Sequence, residues 1–207
     1  MKQFDVYLFD FDGTIVDSKE SLFLVFKIAY GEIGVEITEE NVTRLMRVQL
    51  GQGYEELHAP KEKFGFFCDE IIRLLDDYEV LLKTKIYHDT LEALSSLYKQ
   101  GKTLGIVTSN NRKHVGEVLR FLGINEDYFS VIIGNQETKK HKPNPDPILK
   151  ALEVLNVPGD NVCYVGDGQD DMTCALASGV NPVLLDRIGE YKTESFVKID
   201  SLIDLLN

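Results

Sequence analysis

Short apolar segments alternate with segments of helical periodicity through most of this sequence. The apolar segments are bounded by Gly, Asn and Asp and cover residues 4–9, 103–107, 131–133, 162–165 and 183–185. Between them, apolar side chains recur at the spacing of one helix face, for example at Val115, Val118 and Leu122. Buried parallel strands joined by crossover helices have this pattern. The sequence therefore predicts an α/β fold with a doubly wound parallel sheet.

Three of the predicted crossover helices have recognisable ends. The first covers residues 89–101 and starts with a capping-box spacing from Asp89 to Glu92. The second covers residues 111–123, and the third begins at Pro147, because proline favours the first helical position. These connections have the ordinary length for a parallel sheet.

The connection after the first strand is much longer. About 90 residues separate Asp10 from Thr103, whereas a crossover needs about a dozen. Helical periodicity covers residues 21–30, 38–50 and 61–82 of this stretch, and we expect no strand there. We therefore predict two domains, which are a core of residues 1–15 and 87–207 and an inserted helical domain of residues 16–86.

The inserted domain has an apolar stripe, a glycine pair and a capping signal. The stripe is predicted to form its core rather than a substrate platform, and it consists of Phe64, Phe67, Ile71, Leu74, Leu75 and Tyr78. Gly51-Gln52-Gly53 is predicted to be a turn between helices, either a turn alone or a loop in which Gln52 reads a substrate. Asp17 and Ser18 are expected to cap the first inserted helix.

Two carboxylates lie one residue apart at the end of the first predicted strand, in Asp10-Phe11-Asp12-Gly13-Thr14. Alternate residues of a strand share a side, so we expect Asp10 and Asp12 to project together. Two like charges so placed repel each other unless a cation or a proton lies between them. A set of oxygen ligands of this kind suits Mg²⁺.

Other polar residues follow the neighbouring strands. The second predicted strand ends at Thr108 and Ser109, the fourth ends at Asp167, and Asp171 follows about one helical turn later. Lys142 lies in a proline-rich loop between them. Ligands of open α/β sheets bind outside the carboxyl ends of the strands. The acids can bind a metal ion, while the hydroxyl and the ammonium can bind phosphate oxygens. This combination favours phosphoryl transfer.

The composition indicates which kinds of partner and which cellular compartment to expect. The net charge of -12, from 22 basic and 34 acidic residues, predicts no general attraction to nucleic acid or to an anionic membrane. Cys68, Cys163 and Cys174 are widely spaced in apolar surroundings, which is typical of buried thiols in a reducing compartment. With no signal-peptide pattern and no apolar run of about 18 residues, we expect a cytoplasmic protein. The oligomeric state stays open.

The motifs, taken in order, resemble those of the haloacid dehalogenase-like phosphohydrolases. Asp10-Phe11-Asp12-Gly13-Thr14 resembles the first motif of that family and Val107-Thr108-Ser109-Asn110 the second. Lys142-Pro143 resembles the third motif and Gly166-Asp167-Gly168-Gln169-Asp170-Asp171 the fourth. The helical insertion is similar to the cap of phosphoglycolate phosphatase-like and β-phosphoglucomutase-like members.

The resemblance implies a role at each matching position. Asp10 would be the nucleophile that becomes an aspartyl-phosphate, and Asp12 would protonate the leaving oxygen and then activate water. Mg²⁺ would be bound by Asp10, the main-chain carbonyl of Asp12 and Asp167, with support from Asp171. The phosphoryl group would be held by Thr108, Ser109 and Lys142.

The implied function is a Mg²⁺-dependent phosphatase for a small phosphorylated metabolite, and three alternatives remain. A phosphosugar mutase is the first, although mutases of this resemblance carry a histidine where this chain has Leu22. A phospho-signalling receiver and a non-catalytic binding protein are more distant. Asp170 is either a third acid near the metal or a solvated residue of a first helical turn. His141 either contacts phosphate or lies on a surface loop.

Overall fold

The computed structural model describes residues 2–46, 48–192 and 195–207. The chain divides into two compact units. The first unit contains the residues up to Asp17 and those from Ile86 onward, and the second is Ser18–Lys85. We call them the sheet unit and the helical unit.

The sheet unit is built on a six-stranded parallel sheet, which confirms the predicted fold class. Its strands, in the order in which they lie side by side, are β5 (Phe129–Ile133), β4 (Thr103–Val107), β1 (Val6–Phe9), β6 (Val162–Gly166), β7 (Asn181–Leu185) and β8 (Val197–Ile199). Two short strands, β2 (Val16–Asp17) and β3 (Lys85–Ile86), form a separate two-stranded sheet. The chain therefore adds strands to one side of β1 and then to the other, which creates a switch point beside β1.

Nine α-helices lie within the described residues, with the following bounds. They are α1 (Lys19–Glu32), α2 (Glu39–Leu45), α3 (Leu50–Glu56), α4 (Phe64–Leu75), α5 (Tyr78–Leu81), α6 (Thr90–Lys99), α7 (Arg112–Phe121), α8 (Asp146–Leu155) and α9 (Gln169–Ser178). Short 3₁₀ turns occur at Lys61–Lys63, Glu126–Tyr128, Gly159–Asn161 and Leu202–Leu206. No helix among these is long and apolar enough to cross a membrane.

The central strands are buried on both faces because helices cover them. Every residue of β1 and β6 is buried. Ile148 of α8 and Ala175 of α9 pack in one apolar cluster with Leu8 of β1. This burial explains why these strands read as continuous apolar runs. It also fixes the carboxyl ends of β1, β4 and β6 at one edge of the sheet.

The helical unit has its own aromatic core. The ring of Phe67 lies 4.6 Å from that of Tyr30 and 4.9 Å from that of Tyr54, measured between centroids. The predicted stripe contributes Phe67, Ile71, Leu74 and Leu75 to this core. Tyr78, however, is 64% exposed, because the predicted long helix is divided into a 3₁₀ turn, α4 and α5 and Tyr78 starts α5. Phe64, the first residue of α4, is 37% exposed.

The predicted turn at residues 51–53 is wrong, because these residues lie inside α3. Gly53 is buried, and a side chain there would overlap the side chain of Leu45. The glycine therefore serves close helix packing rather than a turn. Gln52 is exposed, and its Nε2 donates to Glu56 Oε1 at 2.8 Å.

The predicted helix starts differ from the structure in three places. Ser18 precedes α1, but its hydroxyl accepts no capping hydrogen bond. Asp89 precedes α6 in the same way and makes no side-chain cap, because its carboxylate binds other groups. Helix α8 begins at Asp146, so Pro147 is the second helical residue rather than the first.

Candidate active site

The carboxyl edge of the sheet brings together the residues that follow β1, β4 and β6. Asp10 directly follows β1, Thr108 directly follows β4 and Asp167 directly follows β6. Since β1 pairs with both β4 and β6, these three strand ends are neighbours. Backbone hydrogen bonds continue past the strands, from Asp10 N–H to Val165 O at 2.8 Å and from Thr108 N–H to Ile133 O at 2.9 Å.

A buried lysine joins this edge from the loop before α8. Lys142 Nζ lies 2.6 Å from Asp10 Oδ1 and 2.7 Å from Asp171 Oδ1. The side chains of Lys142, Asp10 and Asp171 are 9%, 9% and 5% exposed. Burial alone would lower the pKa of Lys142, but the two carboxylates raise it well above its usual value. The ammonium therefore stays charged and serves as the cation of the cluster.

Tyr164 of β6 connects the lysine to the neighbouring strand. Its hydroxyl accepts from Lys142 Nζ at 3.2 Å. The same hydroxyl lies 2.8 Å from Val107 O and 3.1 Å from Asp171 Oδ1, and it has one proton to donate to them. The phenol thus gives Lys142 a third acceptor, which limits the positions that the ammonium can take.

Asp171 is held in place by the start of α9. Its Oδ2 accepts from the N–H of Gly168 at 3.0 Å, while its Oδ1 accepts from Lys142. Gly166 is required beside it, because an added Cβ would lie 2.5 Å from both Asp171 Cβ and Asp171 Oδ2. Gly13 has the same function for Asp167, since its φ of +78° and its approach to that carboxylate leave no room for a side chain.

Three carboxylates in this cluster suit a metal ion. Oxygens of Asp10, Asp167 and Asp171 all lie within 4.8 Å of one another. Burial and the charges of the other two acids raise the pKa of Asp10, against the effect of Lys142. Burial and the charge of Asp171 raise the pKa of Asp167 to about 7. A bound divalent cation relieves this repulsion, and hard carboxylate oxygens are the ligands that Mg²⁺ prefers, so the residues fit that ion.

The side chain of Asp12 is not in this metal-binding group and has a different partner. Its Oδ2 accepts from Asn110 Nδ2 at 2.5 Å. Asn110 N–H donates in turn to Thr108 Oγ1 at 3.1 Å. Asp12 therefore lies beside the residues that follow β4, and it is partly exposed.

The other predicted site residues lie at the margins or elsewhere. Ser109 follows Thr108 and is exposed, as is His141. Asp170 lies in the first turn of α9 and is half-buried, and burial together with the charge of Asp171 raises its pKa. Gln52 belongs to the helical unit. Of the predicted set, the structure brings together Asp10, Asp12, Thr108, Lys142, Asp167 and Asp171.

Sequence reasoning missed Tyr164 and Asn110 as parts of the site. Asn110 stood within the quoted second motif, so its polar side chain at a strand end was an available signal. Tyr164 lies inside a buried apolar run, where a phenol is common as a packing residue. A buried hydroxyl needs a partner, but nothing in the sequence identifies that partner.

Comparisons with known proteins agree with this geometry. A sequence model of the family described as haloacid dehalogenase-like hydrolase matches residues 7–185. A protein of Caldanaerobacter subterraneus subsp. tengcongensis, provisionally named as the pyrophosphatase PpaX, is 32% identical over 190 residues, which cover 85% of this chain and 79% of that protein. A phosphoglycolate phosphatase of Aquifex aeolicus is 29% identical over 182 residues, which cover 86% of this chain and 83% of that protein.

A solved structure has the same fold over nearly the whole chain. It is a crystal structure from Bacteroides fragilis of a protein provisionally called a haloacid dehalogenase-like hydrolase. The TM-score is 0.88 and the identity 29%, with 98% of this chain and 100% of that chain covered. The family match spans all four of the motifs that form the buried cluster. The chain therefore belongs to the haloacid dehalogenase-like hydrolase family and is a phosphohydrolase of that family.

Proposed function

We propose that this protein is a Mg²⁺-dependent phosphomonoesterase that acts through an aspartyl-phosphate on Asp10. The observation that carries the proposal is the ammonium of Lys142, buried between the carboxylates of Asp10 and Asp171 with Asp167 close by. A buried cluster with several acids and one fixed cation is poorly suited to stabilising a fold. It is well suited to holding a phosphoryl group, whose oxygens need positive charge in a site that excludes water.

Different residues would bind the metal ion and the phosphoryl group. Asp10, Asp167 and Asp171 would hold Mg²⁺ through carboxylate oxygens, and the main-chain carbonyl of Asp12 would add a further ligand. When bound, the ion supplies positive charge that offsets the phosphate oxygens and the nearby acids. Lys142 and Thr108 would hold the phosphoryl oxygens, and Ser109 would contribute from the same strand end.

The chemistry then needs two carboxylates with different roles. In the first step an oxygen of Asp10 attacks phosphorus, the ester P–O bond breaks, and the Asp12 carboxyl donates its proton to the leaving oxygen. In the second step the Asp12 carboxylate takes a proton from water, and the resulting hydroxide attacks the phosphorus carried by Asp10. Inorganic phosphate leaves, the Asp10 carboxylate is restored, and Asp12 again holds its proton.

We propose a small phosphorylated metabolite as the substrate and the helical unit as the cap that selects it. Relatives are named phosphoglycolate phosphatases, and one is provisionally named a pyrophosphatase. Phosphoglycolate and pyrophosphate are therefore the first substrates to test. Gln52, exposed on α3, is proposed as a specificity residue. Leu22 packs against the helical core and cannot transfer protons, which favours hydrolysis over a mutase reaction. The cytoplasmic location stays a prediction.

The test is hydrolysis of p-nitrophenyl phosphate with Mg²⁺, with chelator, and by the Asp10→Asn and Asp12→Asn variants. Wild-type protein should turn over only with Mg²⁺, and Asp10→Asn should be inactive. Asp12→Asn should accumulate a covalent mass gain of one HPO₃ group, because p-nitrophenolate leaves without a proton whereas the second step needs a base.

The matched control is Asp69→Asn, an exposed acid on α4 of the helical unit, which should keep wild-type turnover. Circular dichroism of each variant separates lost chemistry from lost folding. Turnover that persists in chelator, or in Asp10→Asn, would place the reaction elsewhere. A panel that includes phosphoglycolate and pyrophosphate, run on wild type and on Gln52→Ala, then tests the choice of substrate.

A further inference from the structure

A second buried charge cluster, built around Arg187 and Asp89, lies in the sheet unit. Arg187, which follows β7, has a side chain that is only 14% exposed. Its Nη1 lies 2.8 Å from Asp89 Oδ2, and its Nη2 donates to the main-chain oxygen of Thr14 at 3.0 Å. Its guanidinium also stacks on the ring of Tyr87, 3.9 Å from the centroid. One side chain therefore contacts two segments that are far apart in sequence, one at Thr14 and the other at residues 87–89.

The carboxylate of Asp89 also binds the C-terminal segment at Ser201 and Leu202. Besides Arg187, its Oδ2 accepts from Ser201 Oγ at 2.7 Å and from the N–H of Leu202 at 2.8 Å. The Asp89 side chain is 1% exposed. Burial alone would raise the pKa of Asp89, but these hydrogen bonds lower it, so the carboxylate is ionised and the pair is a fixed ion pair.

The carbonyl to which Arg187 donates, that of Thr14, belongs to the loop that carries Asp12. Thr14 stands two residues after Asp12, and Gly13 between them has a φ of +78°. The next carbonyl, of Ile15, accepts from Thr90 Oγ1 at 2.9 Å. Two successive carbonyls of this loop are thus held by side chains from outside it. Within the loop, backbone hydrogen bonds from Gly13 N–H to Val16 O at 2.8 Å and from Ile15 N–H to Phe11 O at 2.9 Å close the turn. The Asp12 side chain itself has Asn110 as its described protein partner, so the position of its carboxyl depends on where this turn is held.

We propose that Arg187 is a positioning residue that sets the Asp12 carboxyl against the leaving-group oxygen by holding the loop at Thr14. This rests on the proposed function, in which Asp12 is the proton donor. Thr14 O and Asp89 Oδ2 lie on two sides of one guanidinium, and its planar fork binds both at once. A lysine at this position keeps the charge but makes only a single-point contact, so the charge and the geometry can be separated by experiment.

The test compares two esters of similar shape that differ in their need for an acid. p-Nitrophenyl phosphate releases a stable anion, whereas phenyl phosphate releases a more basic oxygen that benefits from protonation. The quantity measured is kcat/KM, which covers the steps up to departure of the leaving group and leaves out hydrolysis of the aspartyl-phosphate. The ratio of the two kcat/KM values does not depend on the fraction of folded enzyme, so a partly unfolded variant still gives an answer.

We expect Arg187→Met and Arg187→Lys to lose at least threefold more kcat/KM on phenyl phosphate than on p-nitrophenyl phosphate. Lys198→Met is the matched control, because it breaks an ion pair with Asp186, the residue before Arg187, and the described contacts of Lys198 do not include the Thr14 loop. Its ratio should stay at the wild-type value.

The outcomes separate the two proposals. A ratio changed by less than threefold in Arg187→Met, with active wild-type enzyme, overturns the positioning role and leaves the phosphatase intact. Full recovery of the ratio in Arg187→Lys also overturns it, since charge alone would then be sufficient. A wild-type protein that hydrolyses neither ester with Mg²⁺ refutes the proposed function itself.

Discussion

Replacement of Lys142 by methionine tests the buried cluster most directly. Methionine keeps a long unbranched side chain but removes the ammonium, which lies 2.6 Å from Asp10 Oδ1 and 2.7 Å from Asp171 Oδ1. Both carboxylates would remain buried in Lys142→Met without their cation. The hydroxyl of Tyr164 would also lose its donor.

The magnitude follows from this burial. Removing one partner of a buried ion pair costs about 3–5 kcal/mol of unfolding free energy, because an uncompensated charge remains inside. For a protein of this size each kcal/mol corresponds to about 2–4 °C, so the melting temperature should fall by about 6–20 °C. The pKa of Asp10 is already raised in the wild type, and loss of Lys142 raises it further. The folded protein already holds more protons than the unfolded one, since the pKa of Asp167 is raised to about 7, and loss of Lys142 adds to this difference. The stability of the variant should therefore fall with rising pH more steeply than that of wild type.

Urea unfolding in chelator, followed by circular dichroism at pH 6 and pH 8, measures both effects. The matched control is Lys198→Met, since Lys198 Nζ lies 3.3 Å from Asp186 Oδ2 and its side chain is 35% exposed. A partly exposed pair of this kind contributes about 1 kcal/mol or less, with no comparable pH dependence between 6 and 8. If Lys142→Met were no less stable than Lys198→Met, the claim that the ammonium compensates the buried acids would be wrong.

Three further changes probe the supports of the site. Gly166→Ala should abolish p-nitrophenyl phosphate hydrolysis, because its Cβ would lie 2.5 Å from Asp171 Oδ2. The control is Gly116→Ala in α7, where the nearest side-chain atom would be 3.9 Å from the new Cβ. It should keep full activity and gain up to about 1 kcal/mol of unfolding free energy. Tyr164→Phe should lose about 1–3 kcal/mol in urea unfolding, because Val107 O and Lys142 each lose a buried partner; an unchanged unfolding midpoint would contradict those hydrogen bonds. Asp89 has a lowered pKa, so its stabilisation is present above pH ~4 and is lost as the pH falls through the folded-state value. Urea midpoints of Asp89→Asn should therefore fall less steeply with acid than those of wild type, and equal slopes would refute this assignment.

Features that depend on contiguous residues were predictable from the sequence. The five predicted strands are all present, because strands buried on both faces must be apolar throughout. The edge strand β8 was missed, since it has three residues, of which Val197 and Lys198 are exposed. The strands β2 and β3 were missed as well, and the expectation of no strand in the long connection is wrong there, because two residues per strand are too few for a periodic pattern. The acids of the site were predictable because parallel strand ends meet at one edge, which turns positions in sequence into neighbours in space.

Asp89 shows why the remaining features were not predictable. Its position before α6, with Glu92 three residues later, favours a helix cap, which contributes about 1 kcal/mol. The carboxylate instead binds Arg187 and Leu202, which are 98 and 113 residues away. Charge-assisted hydrogen bonds to a buried guanidinium are stronger than a cap, but they exist only after the sheet has brought β7 beside β6. A local signal therefore identifies which groups a residue is able to bind, while the choice among them is made by packing between distant segments. The same reasoning applies to Tyr164, whose acceptor on β4 and donor on the Lys142 loop meet only in the folded sheet unit.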